Sequence, residues 1–171
     1  MESFEEIYTL YRDDVYRFIL KLTGYDRLLA EEITQEAFYR AFKDFSKFRG
    51  ECNVKTWICG IGRNVFYKFL SSEKRQRAFE ESLGEKLLTR GRDSDLAAGV
   101  ETAEKCRIVK KIISELGEPA KTIAEYRLFG EISYSEIAKA VKIREGTAKV
   151  IFSRAKVKII SEMKEVYGYE I

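Results

Sequence analysis

The sequence predicts an all-α protein of two small helical domains joined by a flexible linker. Apolar residues recur at three- and four-residue spacing along most of the chain, which is the period of one helix face. Among the 171 residues there are one proline and 11 glycines, so little interrupts the helices. Residues 79–104 break the pattern with a polar RGRDSD tract and interspersed glycines. They are the predicted linker between a domain at 1–78 and a domain at 105–171.

Two amphipathic helices are predicted at the start of the first domain. Residues 4–22 carry an apolar face that predicts about five helical turns, ending near Gly24. A second helix is predicted to start after Asp26. Its apolar face consists of Leu29, Ile33, Ala37, Phe38 and Phe42. Its polar face contains Glu31, Glu32, Gln35 and Glu36, and is either solvated or the complement of a polar partner groove.

A third helix is predicted to begin near Val54, after a short polar segment flanked by Phe48 and Trp57. Its predicted inward residues are Trp57, Ile58, Ile61, Val65 and Phe69, and its predicted outward residues are Arg63, Asn64, Tyr67 and Lys68. Basic residues interleaved with aromatic residues suit single-stranded nucleic acid, because bases stack on rings while cations follow phosphates. The alternative is that every aromatic residue here belongs to the core.

Residues 132–156 have the pattern of a helix-turn-helix. The first helix has an apolar stripe formed by Ile132, Ile137, Ala138 and Val141. Ser133 and Glu136 have the spacing of a capping box at its start. A turn at 141–143 leads to a helix that carries Lys149, Arg154 and Lys156, as expected for a helix that enters the DNA major groove. The alternative is an ordinary helical hairpin with a solvated basic face.

Charge is distributed unevenly along the chain. Residues 1–78 hold 14 basic and 12 acidic residues, residues 79–104 hold 3 and 7, and residues 105–171 hold 14 and 9. An acidic linker between two basic domains would be repelled by DNA and could lie against a basic partner surface. An ordinary solvated linker explains the same charges.

Composition argues against catalysis, cofactors and metals. The chain has no histidine, and its three cysteines lack paired CxxC spacing, so neither histidine catalysis nor a zinc site is predicted. No glycine-rich phosphate loop is present. No run reaches the ~18 apolar residues of a membrane span, and the acidic N-terminus has no signal-peptide pattern. The expectation is a cytoplasmic protein that is not an enzyme and binds no cofactor.

Three segments together resemble the bacterial extracytoplasmic-function sigma factors of the sigma-70 family, the promoter-specificity subunits of RNA polymerase. The segments are AEEITQEAFYRAF, FRG…W…GIGRN and SYSEIAKAVKI…EGTAK…SRAK, and they occur in the family's order and spacing. The resemblance covers nearly the whole chain except the linker and the last few residues. It implies a region 2 helical bundle at 1–78 and a region 4 helix-turn-helix at 105–171.

The resemblance also implies roles for individual residues. Region 2.2 binds the polymerase beta-prime clamp, here through Glu32, Gln35 and Glu36. The −10 element is melted and captured by the loop residues Phe48, Arg49, Gly50 and Asn53 and by the helix residues Arg63, Asn64, Tyr67 and Lys68. Flipping a base out of the −10 element costs a few kcal/mol of stacking free energy, and binding of that base in a pocket must offset the cost. Region 4.2 reads the −35 duplex through Arg144, Glu145, Thr147, Lys149 and Arg154.

The partners that the resemblance implies are core RNA polymerase, through the beta-prime clamp and the beta flap, and promoter DNA. An anti-sigma factor, often membrane-anchored in this family, is expected to hold such a protein inactive at the inner membrane face. The free protein is expected to be monomeric and to bind duplex promoter DNA weakly.

Several residues depart from the family pattern. Lys142 replaces the usual turn glycine and is expected to adopt a positive φ. Arg144 replaces the serine that caps the recognition helix, so its side chain cannot supply that cap. Ile151 replaces a common basic residue and is expected to pack rather than contact DNA. The usual leucine-proline entry to region 4 is LGEP at 116–119.

Two other functions fit parts of the sequence. A conventional helix-turn-helix regulator explains residues 105–171, but it predicts a dimer and leaves the loop and the GIGRN helix unexplained. A polymerase-binding protein with degenerate DNA contacts is the third possibility, against which Asn64, Lys68 and Lys149 argue.

Overall fold

The computed structural model describes residues 3–84 and 99–170 and contains seven α-helices in those two ranges. They are α1 (Phe4–Leu22), α2 (Arg27–Asp44), α3 (Val54–Ser82), α4 (Val100–Ser114), α5 (Ala120–Gly130), α6 (Tyr134–Val141) and α7 (Glu145–Glu165). A single 3-10 turn, Phe45–Lys47, follows α2. The all-α prediction is confirmed, and the described residues include no strand. Most of the predicted linker, residues 85–98, lies outside the described ranges.

Side-chain caps fix the starts of the first three helices. Ser3 and Glu6 form a reciprocal capping box on α1, which satisfies two backbone N–H groups that the helix itself leaves free. Asp26 accepts a hydrogen bond from the Leu29 backbone N–H at 3.1 Å, and α2 therefore starts after Asp26 as predicted. Asn53 caps α3 in the same way.

The first three helices pack against one another, with Val15, Phe18 and Ile19 of α1 at the centre of their core. α3 approaches α1 so closely that a β-carbon at Gly62 would lie 2.5 Å from Ile19 Cδ1. Glycine at that position is what allows the contact. Phe38 is buried as predicted, but Phe42 is 62% exposed, so its predicted place in the core is wrong. The Phe42 ring still packs edge-on against Phe4 of α1, with ring centroids 5.3 Å apart, while the adjacent Ala41 is fully buried.

α3 continues to Ser82, well past the last residue that packs inward, and its final turns are mostly exposed. Ile58 is fully buried as predicted, and the other fully buried apolar residues of α3, Cys59 and Phe66, are not among the predicted inward residues. The predicted inward residues Trp57, Ile61, Val65 and Phe69 are half-buried. The predicted outward orientation is correct for Asn64 and Lys68 and wrong for Arg63 and Tyr67, which face α5.

The helix-turn-helix is α6 and α7, and the structure agrees with three of its predicted departures. Lys142 has φ 60°, in the left-handed region that usually favours glycine. Arg144 stands at the N-cap of α7 and makes no side-chain cap hydrogen bond. Ile151 packs against the apolar core, as expected.

The predicted capping box on α6 is only half formed. The Ser133 hydroxyl accepts from the Glu136 backbone N–H at 3.2 Å. The Glu136 carboxylate does not complete a reciprocal bond and instead accepts from the Asn53 backbone N–H at 2.8 Å, from the other half of the chain. A tertiary partner has therefore replaced a local one.

One apolar cluster spans both halves of the chain, and the packing between the halves is mainly that of α1 against α5. The rings of Phe18 and Tyr126 have centroids 5.9 Å apart. A β-carbon at Gly130 would lie 3.2 Å from Phe18 Cδ2, so the backbone of α5 lies directly against α1. Among the described residues, no helix combines the length and apolarity that a membrane span requires.

Candidate nucleic-acid interfaces

A buried carboxylate lies beside the basic face of α3. Glu125 of α5 is 1% exposed and accepts hydrogen bonds from both Arg63 Nε and the Tyr67 hydroxyl. Glu118 accepts a third bond, from Arg63 Nη2 at 2.9 Å. The guanidinium of Arg63 also lies over the Tyr67 ring, 4.8 Å from its centroid. Two of the residues predicted to contact DNA are thus fully engaged by another part of the same chain.

The pKa values in this cluster follow from its burial and its charges. Burial acts to lower the pKa of Arg63, but the charge and hydrogen bond of Glu125 outweigh it, so the pKa of Arg63 is raised. Burial and the adjacent Glu125 carboxylate both raise the pKa of Tyr67. Arg63 therefore stays charged and Tyr67 stays a hydrogen-bond donor at any physiological pH.

Asn64 and Lys68 are exposed and lie on the rim of an open groove of about 620 Å³. Ser71 and Arg75 continue the α3 side of this groove, while Glu118 and Lys121 form its α5 side. Lys121 Nζ lies 4.2 Å from the centroid of the Tyr67 ring. The groove places cations along an aromatic ring, which is the chemistry that single-stranded nucleic acid requires.

The loop before α3 has an aromatic wall. The rings of Phe48 and Trp57 lie 4.8 Å apart, while Arg49 and Gly50 are exposed beside them. Gly50 has φ 70°, a conformation that favours glycine. Asn53 uses its side-chain oxygen to cap α3, accepting from the Thr56 N–H at 2.8 Å. Its amide nitrogen is the part left for a ligand.

A cavity of about 320 Å³ separates this loop from α5 and α6. Phe48, Arg49 and Asn64 line it from one half of the chain, and Tyr126 and Lys139 line it from the other. Thr56 also lines the cavity, and its buried hydroxyl has no hydrogen-bond partner. The space is large enough for a nucleic-acid base, but the C-terminal half forms one of its walls.

The recognition helix α7 presents a very different surface. All five predicted DNA contacts on it, Arg144, Glu145, Thr147, Lys149 and Arg154, are exposed. Lys149 pairs with Glu145 at 3.1 Å across one helical turn, a contact that solvent and DNA can both displace. Behind this face, Ala148 and Phe152 anchor α7 against the core.

The predicted polymerase-binding face of α2 is also open. Glu32 and Gln35 are exposed, and Glu36 is half-buried and accepts from Arg40 at 2.6 Å one turn away. Leu28, Tyr39 and Phe42 of the same helix are exposed apolar side chains. Such a mixture of apolar area and carboxylates suits a protein partner with a basic rim.

Sequence reasoning missed Glu125, the residue that organises the α3 interface. A signal for it was present: Glu125 precedes the buried Phe129 by one helical turn and therefore belongs to the inward face of α5. It also missed Ser71, which follows Asn64 on one helix face at seven-residue spacing.

Comparisons with known proteins identify the family. Residues 7–76 match the sigma-70 region 2 family. The ECF RNA polymerase sigma-E factor of Haemophilus influenzae is 30% identical over 131 residues, covering 73% of this chain and 69% of that protein. The chain belongs to the ECF RNA polymerase sigma factors.

Further sigma factors match almost end to end. The ECF RNA polymerase sigma factor SigM of Bacillus subtilis is 29% identical over 154 residues, covering 90% of this sigma factor and 91% of the relative. The solved structure of the sigma factor RpoE from Bartonella quintana, in complex with the anti-sigma factor NepR, superimposes with a TM-score of 0.61 at 22% identity. The superposition covers 95% of this chain and 97% of RpoE, and so the two share a fold.

Proposed function

We propose that this sigma factor binds bacterial core RNA polymerase and directs it to promoters, reading the −35 element as duplex and capturing the melted −10 element. The observation that carries the proposal is that one chain holds two nucleic-acid surfaces of different type. α3 and its loop combine cations with aromatic rings, whereas α6 and α7 form a helix-turn-helix with a polar, exposed recognition face. Strand capture and duplex reading require these two chemistries respectively.

Polymerase binding is assigned to the exposed face of α2, with Glu32, Gln35 and Glu36 against the beta-prime clamp. This face remains open while Arg63 and Tyr67 of α3 are engaged by Glu125 of α5. The sigma factor can therefore bind polymerase through α2 without first changing its own conformation. Region 4, residues 105–171 of the proposed division, meets the beta flap.

The −10 element is assigned to the loop and α3. Phe48, Arg49, Gly50 and Asn53 surround the space for a flipped base, while Asn64 and Lys68 contact the strand from the exposed side of α3. Arg63 and Tyr67 join them once they part from Glu125. Stacking on an aromatic side chain contributes about 1–3 kcal/mol per base, enough to offset the unstacking of one base.

The −35 element is assigned to Arg144, Glu145, Thr147, Lys149 and Arg154 on α7. The protein performs no catalysis itself and needs no cofactor, since strand separation draws on binding energy within the polymerase complex. It acts in the cytoplasm, where an anti-sigma factor, membrane-anchored or free, would restrain it. A dimeric regulator is not supported, because relatives that match across both halves carry the names of sigma factors.

Run-off transcription with bacterial core polymerase and a library of genomic fragments tests this function. Addition of the protein should create start sites that share paired −35 and −10 sequences. If core polymerase gains no starts and does not co-purify with the chain, the proposed function is wrong.

Two substitutions test the −10 assignment within that assay. Asn64→Ala and Lys68→Ala should each lower the yield of open promoter complexes by about tenfold, measured by permanganate reactivity of unpaired thymines, while binding to core polymerase stays unchanged. Lys111→Ala, at an exposed position on α4, is the matched control. Full promoter opening by both α3 variants would contradict the assignment.

A further inference from the structure

The C-terminal half covers the α3 surface with acidic side chains. Glu125 occupies the Arg63 guanidinium and the Tyr67 hydroxyl, and Glu118 occupies the outer edge of Arg63. Guanidinium and hydroxyl donors of this kind also bind phosphate oxygens. A carboxylate thus stands where a nucleic-acid phosphate would otherwise bind.

The same closure contacts the loop. The Glu136 carboxylate accepts from the Asn53 N–H, which lowers the pKa of Glu136 and keeps it charged. Lys142 lies 3.8 Å from Glu51, across the same boundary. Three acidic residues of the C-terminal half, Glu118, Glu125 and Glu136, therefore all point at the α3 and loop surface.

Apolar contacts hold this closed form together behind the acidic residues. Tyr126 packs against Phe18, and its hydroxyl lies 3.0 Å from where a β-carbon of Gly60 would be. Farther along, Arg107 Nε donates to the Gly24 carbonyl at 3.1 Å. The carboxylate of Glu125 is thus pressed onto Arg63 by a packed interface and has no access to water.

We propose that Glu125, supported by Glu118, is an intramolecular latch that mimics a nucleic-acid phosphate and masks the α3 surface in the free sigma factor. Polymerase, binding the open face of α2, releases it by holding the two halves apart. The inference rests on the proposed function for the identity of the α3 surface as a DNA surface. It adds that the chain suppresses its own strand binding without a partner.

The fraction of open molecules determines the expected change in affinity for single strands. When only a small fraction of the molecules is open, the apparent dissociation constant for a single strand is raised by the inverse of that fraction. Glu125→Gln keeps the shape of the side chain and its ability to accept hydrogen bonds, but it removes the buried charge that Arg63 requires. The open fraction, and with it the affinity for single strands, should rise.

The test is fluorescence anisotropy of the free full-length chain with a labelled oligothymidine of about 12 nucleotides. Glu125→Gln should bind it at least about tenfold more tightly than the unchanged protein, and Glu118→Gln about threefold more tightly. Glu104→Gln, which removes the same charge from an exposed site on α4, is the matched control and should stay within about twofold.

Small-angle X-ray scattering on the same samples reports opening directly. A closed chain of this length should have a radius of gyration of about 15–16 Å, and Glu125→Gln should increase it. Circular dichroism checks that the variant retains its helices, and Glu118→Gln, at a half-exposed site, carries the test if Glu125→Gln does not fold.

Unchanged oligothymidine affinity in a folded Glu125→Gln chain would overturn the latch, whether or not the radius of gyration increases. Run-off transcription separates this failure from failure of the sigma function. Glu125→Gln should leave the transcript yield of the holoenzyme unchanged, because polymerase separates the halves in either chain. Normal transcription together with unchanged affinity for single strands would contradict the latch proposal and still support the promoter function.

Discussion

The two surfaces that we propose bind DNA both carry basic residues, but they differ in how far those residues are engaged within the chain. On α3, Arg63 is hydrogen-bonded to Glu125 and Glu118, and its side chain is 13% exposed. On α7, Arg154 is exposed, and Lys149 pairs with Glu145 one helical turn away and lies over the Tyr134 ring. Two side chains of the proposed single-strand surface, Arg63 and Tyr67, are therefore engaged within the chain, whereas the proposed −35 residues are exposed. Under the proposed function, the closed chain withholds these two side chains from a stray single strand.

The largest expected effect is a difference in stability between two arginine substitutions. Arg63→Ala leaves the buried carboxylate of Glu125 without its cation, which should reduce the free energy of unfolding by about 3 kcal/mol. Arg154→Ala removes a solvated side chain and should change it by less than about 0.5 kcal/mol. Urea denaturation followed by circular dichroism measures both. Equal stabilities would break the contrast between the covered and exposed surfaces.

The reactivity of the Cys106 thiol should report whether the chain is in its closed form. Cys106 of α4 donates to the Lys21 carbonyl of α1 at 3.6 Å, and burial raises its pKa to about 11. Because only the thiolate reacts, alkylation of Cys106 should rise with pH up to about 11. At pH 8 it should be about a hundredfold slower than that of a solvated thiol, whose ordinary pKa is 9.0.

Opening of the latch should release this protection. In Glu125→Gln, Cys106 should react faster at pH 8, as measured by mass spectrometry after timed alkylation. Cys59 of α3, which is buried and has a pKa raised to about 12, should respond less than Cys106 and is the internal control. Equal acceleration at both cysteines would indicate unfolding instead of opening.

The two surfaces should differ in whether their binding to DNA depends on polymerase. Arg154→Ala should weaken binding to a −35 duplex about tenfold and reduce the salt slope by about 0.9, both in the free chain and in holoenzyme. Lys68→Ala should affect single-strand binding mainly in holoenzyme, where the latch is open. Lys164→Ala, exposed in the last turn of α7, serves as the control for overall charge. An Arg154 effect confined to holoenzyme would show that α7 is masked as well.

The smallest effects come from two glycines in helices. At Gly146, on the exposed surface, a β-carbon meets nothing within 4 Å, so Gly146→Ala should stabilise the fold by about 0.5 kcal/mol. At Gly60 the β-carbon meets the Tyr126 hydroxyl at 3.0 Å, so Gly60→Ala should destabilise it by about 1 kcal/mol.

Thermal unfolding measures both glycine substitutions. Adding Tyr126→Phe removes the hydroxyl and should recover most of the stability lost in Gly60→Ala. A double-mutant cycle measures the interaction energy between the β-carbon at residue 60 and that hydroxyl. Stabilisation by Gly60→Ala alone would mean that α5 does not press on α3.

Local features were predictable because their causes are local. The starts of α1, α2 and α3 follow from apolar spacing and from caps three residues away in sequence. The left-handed Lys142 and the missing side-chain cap at Arg144 follow from the turn geometry of a helix-turn-helix. By contrast, the 62% exposure of Phe42 depends on how the helices pack, which the apolar spacing within α2 does not specify.

The sequence by itself determined the fold class, most helix starts, the family and the identity of two basic surfaces. Only the tertiary structure decided which surface is accessible. Arg63 and Glu125 are 62 residues apart, and Asn53 and Glu136 are 83 residues apart. A carboxylate on a helix is expected to be solvated until a packed interface removes its water, and that interface forms only when both halves of the chain come together.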